Sequence, residues 1–487
     1  MSSLWQQYGL RRNPFFQEPL AEDGDGPELE AFFTGRSADR ADCLTRLTHD
    51  EQTRLVLLGA PGVGKTTLLN RLLADVRQPD GMRLAWIVAG LPPLNLPKAA
   101  TLQDFCIEVL RQVLDMRRQM QAAQTAGPSG TKSRVTKAAG AARQAFLPGK
   151  DLWESIERTV EGALTLSPQA FGVGVTATFT APHAGVASWV PLTKQAMTQL
   201  AHEYGRDLVF AVNNAENLRS DIAARATSVL AEARDLFLTP HTHWVFVGTP
   251  DFFDAVIKPV RQLSGVMGYP VLLPPLDADG VEELIARRYE ALRVPHMPFV
   301  PPIRPEDAGA LAQAFVGDLR ELLRALEMTV VRLTPVRART VSLGDAMRVI
   351  GQEQAALFHD VMTGAAWEHL TRVVLAVADD GEVIQRFREV DAVRLLAPMK
   401  QPTVNAHKRA WLEKGFIRPD GHTGAAEWFT LTGEALLAML PAASAAGIVA
   451  EAFLRGRNLE TIPLPPHSVA ASGKAMKKKT ASKRASP

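Results

Sequence analysis

This chain is of the α/β class: a parallel-sheet sandwich, then an all-α segment, then a C-terminal winged helix. An apolar run at 55–58 passes through a glycine-rich turn into a helix that begins near Lys65. Three further apolar runs, "RLAWIVAG", "DLVFAV" and "HWVFVGT", are each followed by a helical stretch, which is the alternation of parallel βα units. From 277 onward apolar residues recur at helical spacing, until a last unit sets three helices before a polar turn bounded by short strands.

Residues 1–50 hold "YGLRRNPFF", an acidic glycine-rich loop "EPLAEDGDGPELE", and a helix in "AFFTGRSADRADCLTRL" entered after Gly35 and Arg36. Residues 51–275 are the sheet sandwich. Between its second and third strands lies an insertion at about 91–190. It contains the helix "TLQDFCIEVLRQVLDMRRQM", an Ala/Gly/Ser/Lys stretch at about 121–143 too poor in apolar residues to build a core, and "FGVGVTATFT", whose alternation reads as a strand or hairpin arm. Residues 276–362 read as helices, 363–445 as the winged helix, and 446–487 as a linker with a disordered basic tail, "SGKAMKKKTASKRASP".

A length of 487 residues suggests about three domains at roughly 150 residues each. With 54 basic against 52 acidic residues the net charge is +2, so affinity for nucleic acid has to come from local basic clusters. Two isolated cysteines, Cys43 and Cys106, exclude a disulfide framework and a thiolate zinc site and suit a reducing compartment. The N-terminus has no apolar signal core, and no window of about 20 apolar residues occurs, so a cytoplasmic protein without a membrane partner is expected.

"GAPGVGKT", Gly59 to Thr66, fits the phosphate-loop pattern G-x-x-x-x-G-K-[ST], with a strand before it and a helix after it. Gly62 and Gly64 let the backbone amides of Ala60, Pro61's neighbours, Val63 and Lys65 curl around phosphates. Lys65 reaches their oxygens, and Thr66, followed by Thr67, stands where a hydroxyl ligates Mg2+ at a helix N-terminus. The cofactors expected are ATP or ADP with Mg2+.

Taken in order, "YGLRRNPFF", "FFTGR", "GAPGVGKT", "FAVNNAENL", "VFVGTP" and "GDLREL" make the chain resemble the AAA+ ATPases. The likeness is to the origin-recognition initiator branch and to bacterial transposition and secretion ATPases of the ExeA kind. It covers residues 1 to about 360, and to about 440 with the winged helix, and implies a P-loop AAA+ core with a helical lid. The resemblance further implies that Thr249 is a sensor at the γ-phosphate and that Arg320 is a second sensor carried by the lid. It places Arg261 as an arginine finger for a neighbouring subunit, and Gly35 and Arg36 along the adenine side.

Where that family carries an Asp and a Glu at the end of the third strand, this chain has Asn213 and Asn214. An amide bears no charge and is a poor base, so hydrolysis is expected to be impaired by roughly 3 kcal/mol of barrier or more. Glu216 stands as a displaced base, with helix capping as its alternative reading. Binding depends mainly on the loop and Lys65, so ATP remains a ligand.

In "QPTVNAHKRAWLEKGFI", Val404, Trp411 and Leu412 anchor a recognition helix, leaving Thr403, Asn405 and Arg409 for a groove or its phosphates. His407 and Lys408 reach DNA only if their tips extend past the buried face, and the wing adds Arg418. The expected function is a nucleotide-dependent switch or assembly factor on DNA, with a homo-oligomer or a partner protein. The alternatives are a competent ATPase, activated by a partner or DNA, that loads or remodels a transposase, helicase or defence effector, and a regulatory adaptor whose winged helix binds protein.

Overall fold

The strands expected from the apolar runs join side by side. In the computed structural model β1 (Arg54–Leu58), β2 (Ile87–Val88), β3 (Leu94–Asn95), β4 (Leu208–Ala215), β5 (Thr242–Gly248) and β6 (Val271–Leu272) form one parallel sheet. Its order is β2-β4-β5-β1-β6, with β3 also beside β4. The structure describes residues 4–20, 29–49, 52–77, 86–96, 99, 101–125, 150–165, 189–215, 220–315, 317–334, 338–357, 364–376, 384–423, 426–445 and 457–458. The expected strand in "FGVGVTATFT", most of the stretch at 121–143, Glu216 and the basic tail lie outside the described residues.

Each long strand is apolar on both faces, because helices cover both sides of a parallel sheet. Successive side chains alternate between two cores. Leu55, Leu57, Val209, Ala211, Val245 and Val247 face α1 (Ser37–His49) and α2 (Lys65–Arg77). Val56, Leu58, Phe210, Val212, Trp244 and Phe246 face α3 (Leu102–Thr125), α4 (Lys150–Thr165), α5 (Trp189–Tyr204) and α6 (Ser220–Glu232). Helix α4 corrects the reading of the insertion, which had no helix there. Its Trp153, Ile156 and Val160 are spaced by three and four residues and buried, a helical period that the sequence carried. The two-residue β3 and β6 were also missed, being too short to show a period.

Two compact units divide the chain. Unit A comprises Leu10–Met297 and Gly317–Arg324. Unit B comprises Met1–Gly9, Pro298–Val316 and Ala325–Pro487. The segment expected to act as one helical lid is therefore split. Helix α7 (Ala278–Leu292) belongs to unit A, where Tyr289 meets Phe15 edge-on at 6.3 Å and the Arg11 amide donates to the Leu292 carbonyl at 2.8 Å. Helices α8 (Pro305–Ala312) and α10 (Leu343–Leu357) belong to unit B, while α9 (Leu319–Leu333) begins in one unit and ends in the other.

Within unit B, α11 (Ala365–Val374), β7 (Ile384–Arg388), α12 (Glu389–Leu395), α13 (Gln401–Glu413), the hairpin β8 (Ile417–Thr423) and β9 (Ala426–Leu431), and α14 (Gly433–Ala438) follow one another. Strand β9 pairs antiparallel with both β7 and β8. Val404, Trp411, Phe387, Phe416 and Trp428 form the centre of this body, and the Trp411 indole donates to the Ala366 carbonyl at 2.7 Å. Leu412, expected as an anchor, is only half-buried.

Candidate functional site

The loop between β1 and α2 is shaped by its glycines. Gly62 and Gly64 have φ of 77° and 94°, the left-handed region that a residue with a Cβ resists. A Cβ at Gly62 would collide with the Asp318 carboxylate, whereas one at Gly64 would meet nothing within 4 Å. The loop is thus closed on one side by Asp318 and open on the other. The Lys65 side chain is buried, and its amine donates to the carbonyls of Gly59 at 3.0 Å and Ala60 at 2.8 Å. This holds a cation at the mouth of a glycine cradle, the chemistry that suits an anion such as a phosphate.

A pocket in unit A includes Gly62, Val63, Gly64, Lys65, Thr66 and Thr67 in its wall. Its other walls include residues 17–20, Phe32, Phe33, Thr34, Leu276, Leu284, Arg288 and the start of α9. One part is therefore polar and cationic and the other mostly apolar, as a ligand with an anionic end and a flat ring requires. Arg320 lines the pocket. Asp318 caps its helix by accepting from the amides of Arg320 at 3.0 Å and Glu321 at 3.1 Å.

Arg36 also lines this pocket, but its guanidinium is tied down. It donates to the Val63 carbonyl at 3.0 Å and to Asp39 at 3.1 Å. Burial pulls its pKa down while Asp39 opposes that. Arg36 thus braces the phosphate loop itself. Gly35, φ 73°, packs against Leu276 and lets the chain turn into α1.

The remaining expected residues are less concentrated. Strand β5 lies between β1 and β4, so Asn213 stands two strands from the loop, about 10 Å across the sheet. Val212 pairs with Phe246 and Ala215 with Gly248, so three steps on β4 span two on β5, and Asn213 and Asn214 form a bulge at the strand end nearest the loop. Bulges re-aim side chains beside functional sites. Asn213 is buried and paired in register with Asn95, whose own amide oxygen is buried without a partner. Neither Asn213 nor Thr249 lines the pocket. Thr249 caps the next helical turn, its hydroxyl accepting from the Phe252 amide at 3.4 Å. Arg261 is exposed at the start of a short helix, Arg261–Ser264. Asp207, at the opposite end of β4, is held by His241 at 2.9 Å and His243 at 3.3 Å, so it does not replace the missing carboxylates.

On α13 three of the residues expected at DNA turn inward. Lys408 pairs with Glu389 of α12, the Asn405 amide faces the same carboxylate at 2.6 Å, and His407 meets His369 of α11 at 3.1 Å. Lys408 also lies over the Phe429 ring at 5.1 Å. Their side chains help to pack α11, α12 and β9 on α13, which corrects the reading that left Asn405 to an outside ligand and shows the tips of His407 and Lys408 engaged within the body instead of extended past it. Thr403, Arg409 and Arg418 are exposed.

Sequence reasoning missed Arg288 and, although it set the segment 1–50 beside the nucleotide site, did not single out residues 17–20. Arg288 occupies the buried face of α7 between Leu284 and Leu292, and a charged residue on an apolar helical stripe was the readable signal.

Residues 48–256 match the family model described as an AAA domain. No curated protein matches the chain. Among solved structures, the Aeropyrum pernix ORC2 protein in its ADPNP-ADP complexes is 14% identical with a TM-score of 0.43, over 92% of this chain and 99% of that one. A Walker-type ATPase of Pyrococcus abyssi is 14% identical with a TM-score of 0.44, over 89% and 100%. Cdc6p of Pyrobaculum aerophilum is 14% identical with a TM-score of 0.39, over 90% and 98%. At this identity and overlap nothing is carried from them to this chain. The strand–glycine loop–helix unit and the strands β1 to β5 of the parallel sheet all fall within the segment that matches the AAA domain model, residues 48–256.

Proposed function

We propose that the protein is an ATP-binding AAA+ switch of the initiator type that hydrolyses slowly and acts on DNA through unit B. The observation that carries the binding half is the glycine cradle with Lys65 at its mouth, in a pocket also lined by Arg320. Bound nucleotide would place its phosphates along Gly62–Thr66 and its base against Phe32, Leu276 and Leu284. The Lys65 amine would exchange two loop carbonyls for phosphate oxygens, and Thr66 would offer its hydroxyl to Mg2+. Mg2+ would supply charge neutralisation between phosphate oxygens when bound.

Slow hydrolysis follows from the amides at 213 and 214. With the nucleotide in place, Arg320 draws the start of α9 toward the γ-phosphate, and a difference in contacts between ATP and ADP suffices to shift populations without turnover. Thr403, Arg409 and Arg418 are the surface through which unit B would meet DNA, and Arg261 is available to a second subunit.

Calorimetric titration with Mg-ATP, beside steady-state hydrolysis with and without duplex DNA, tests this. The expected result is binding that Lys65→Ala abolishes, with turnover well below about one per second. Turnover above that value, with or without DNA, would replace the switch by a working ATPase. Absence of binding in the wild-type chain would remove the nucleotide altogether.

A further inference from the structure

Residues 14–20 form a strap along the pocket, and it is pinned at both ends. At its start, Arg288 Nη1 donates to the carbonyls of Pro14 at 2.9 Å and Phe16 at 2.8 Å, while the guanidinium lies 3.8 Å from the centre of the Phe16 ring. Phe16 in turn meets Phe32 edge-on at 5.2 Å. At its end, the Asn70 amide on α2 donates to the Leu20 carbonyl at 2.7 Å. Between the pins, Gln17, Glu18, Pro19 and Leu20 line the same pocket as the phosphate-type loop.

Arg288 is costly where it stands. It is 5% exposed, its Nε has no partner, and it makes no ion pair among the described residues. Burial pulls its pKa down to about 9, against the opposing field of Glu18. A guanidinium buried without a carboxylate is a poor choice for stability alone, and an apolar side chain would fill the place at lower cost. What Arg supplies and Leu or Met does not is a nitrogen that grips two backbone carbonyls while its plane stacks on a ring. Asn70 complements it, because it rises from the helix that Lys65 begins and so ties the strap to the phosphate half of the pocket.

We propose that Arg288 and Asn70 are positioning residues for the base of the nucleotide: together they fix the strap 17–20 so that its backbone meets the edge of a nucleobase lying against Phe32, Leu276 and Leu284. This rests on the reading of the pocket as a nucleotide site. The strap and its pins contribute to the base half only, and the glycine cradle holds phosphate without them. The consequence is a split in affinity between ligands with and without a base.

The test compares Mg-ATP with inorganic tripolyphosphate by calorimetry on the full chain. Arg288→Met is expected to weaken ATP about tenfold or more, the effect of a lost charged hydrogen-bonding group, and to change tripolyphosphate by less than about twofold. Asn70→Ala should act in the same direction, and Arg288→Lys, which keeps the charge but not the fork, should fall between. If Arg288→Met does not fold, the other two variants carry the comparison. Equal losses for both ligands, or unchanged ATP binding, overturn the inference and leave the nucleotide site intact. Wild-type chain that binds neither ligand overturns the nucleotide reading itself.

Discussion

Asn213 and Asn214 sit at a bulge at the end of β4 nearest the loop, and the proposed slow hydrolysis is assigned to them. Replacing both, Asn213→Asp with Asn214→Glu, is expected to raise steady-state turnover by about two orders of magnitude in Mg-ATP, the usual worth of a charge-stabilising or water-orienting group. Unchanged turnover in a variant that still binds ATP would show that other groups limit the reaction. Asn213 is buried, so the same change should lower the ligand-free melting stability by roughly 1–3 kcal/mol, with Mg-ATP restoring part of it. Residues such as Gly62, Gly64, Lys65 and Thr66 were legible because the motif is local: one strand, one loop and one helix turn encode it. What Arg288 grips was not, since its partners Phe16 and Pro14 lie 272 and 274 positions away and no short pattern records such a contact, although its place on an apolar helical stripe could be read.

Helix α13 shows the same limit one scale up. Its anchors Val404 and Trp411 follow from the helical period, but the partner of Lys408 comes from α12, and only the fold brings Glu389 against it. Hydrogen bonding to Lys408 holds the Glu389 carboxyl below its ordinary range, so this pair is set at neutral pH. Arg409, on the exposed side, is free of that constraint. Arg409→Ala is therefore expected to weaken duplex DNA binding and to reduce the slope of log K against log salt by about one, the loss of one phosphate contact. Lys408→Ala should leave that slope unchanged and lower the melting temperature of the C-terminal body instead. Titrations at several salt concentrations separate the two outcomes; a slope that falls in Lys408→Ala and not in Arg409→Ala would mean that α13 presents its other face.

For the molecule as a whole, a parallel sheet, a run of helices and a C-terminal body with antiparallel strands follow one another among the described residues, and the boundary between compact units does not fall where composition placed it. It cuts through α9 and separates α7 from α8, because burial of Tyr289 and Leu292 against the N-terminal segment has no trace in local sequence. Two compact units should unfold in two transitions, and each carries a histidine whose pKa burial lowers. In unit A, His243 is fully buried and stacked on Trp86 at 3.9 Å; burial lowers its pKa, and the bond to Asp207 opposes that only in part. In unit B, His407 is lowered by burial and by His369. A histidine whose folded pKa lies below the unfolded value of about 6.5 binds fewer protons folded than unfolded, so its contribution is complete above that pH and is lost as pH falls toward the folded value. Denaturant unfolding between about pH 7.5 and 5.5 should accordingly lower both midpoints with acid. His243→Phe, which keeps a ring against Trp86, should flatten the pH dependence of the unit A transition and leave the other as steep as before; an equally steep unit A transition in that variant would mean that groups other than His243 take up the protons.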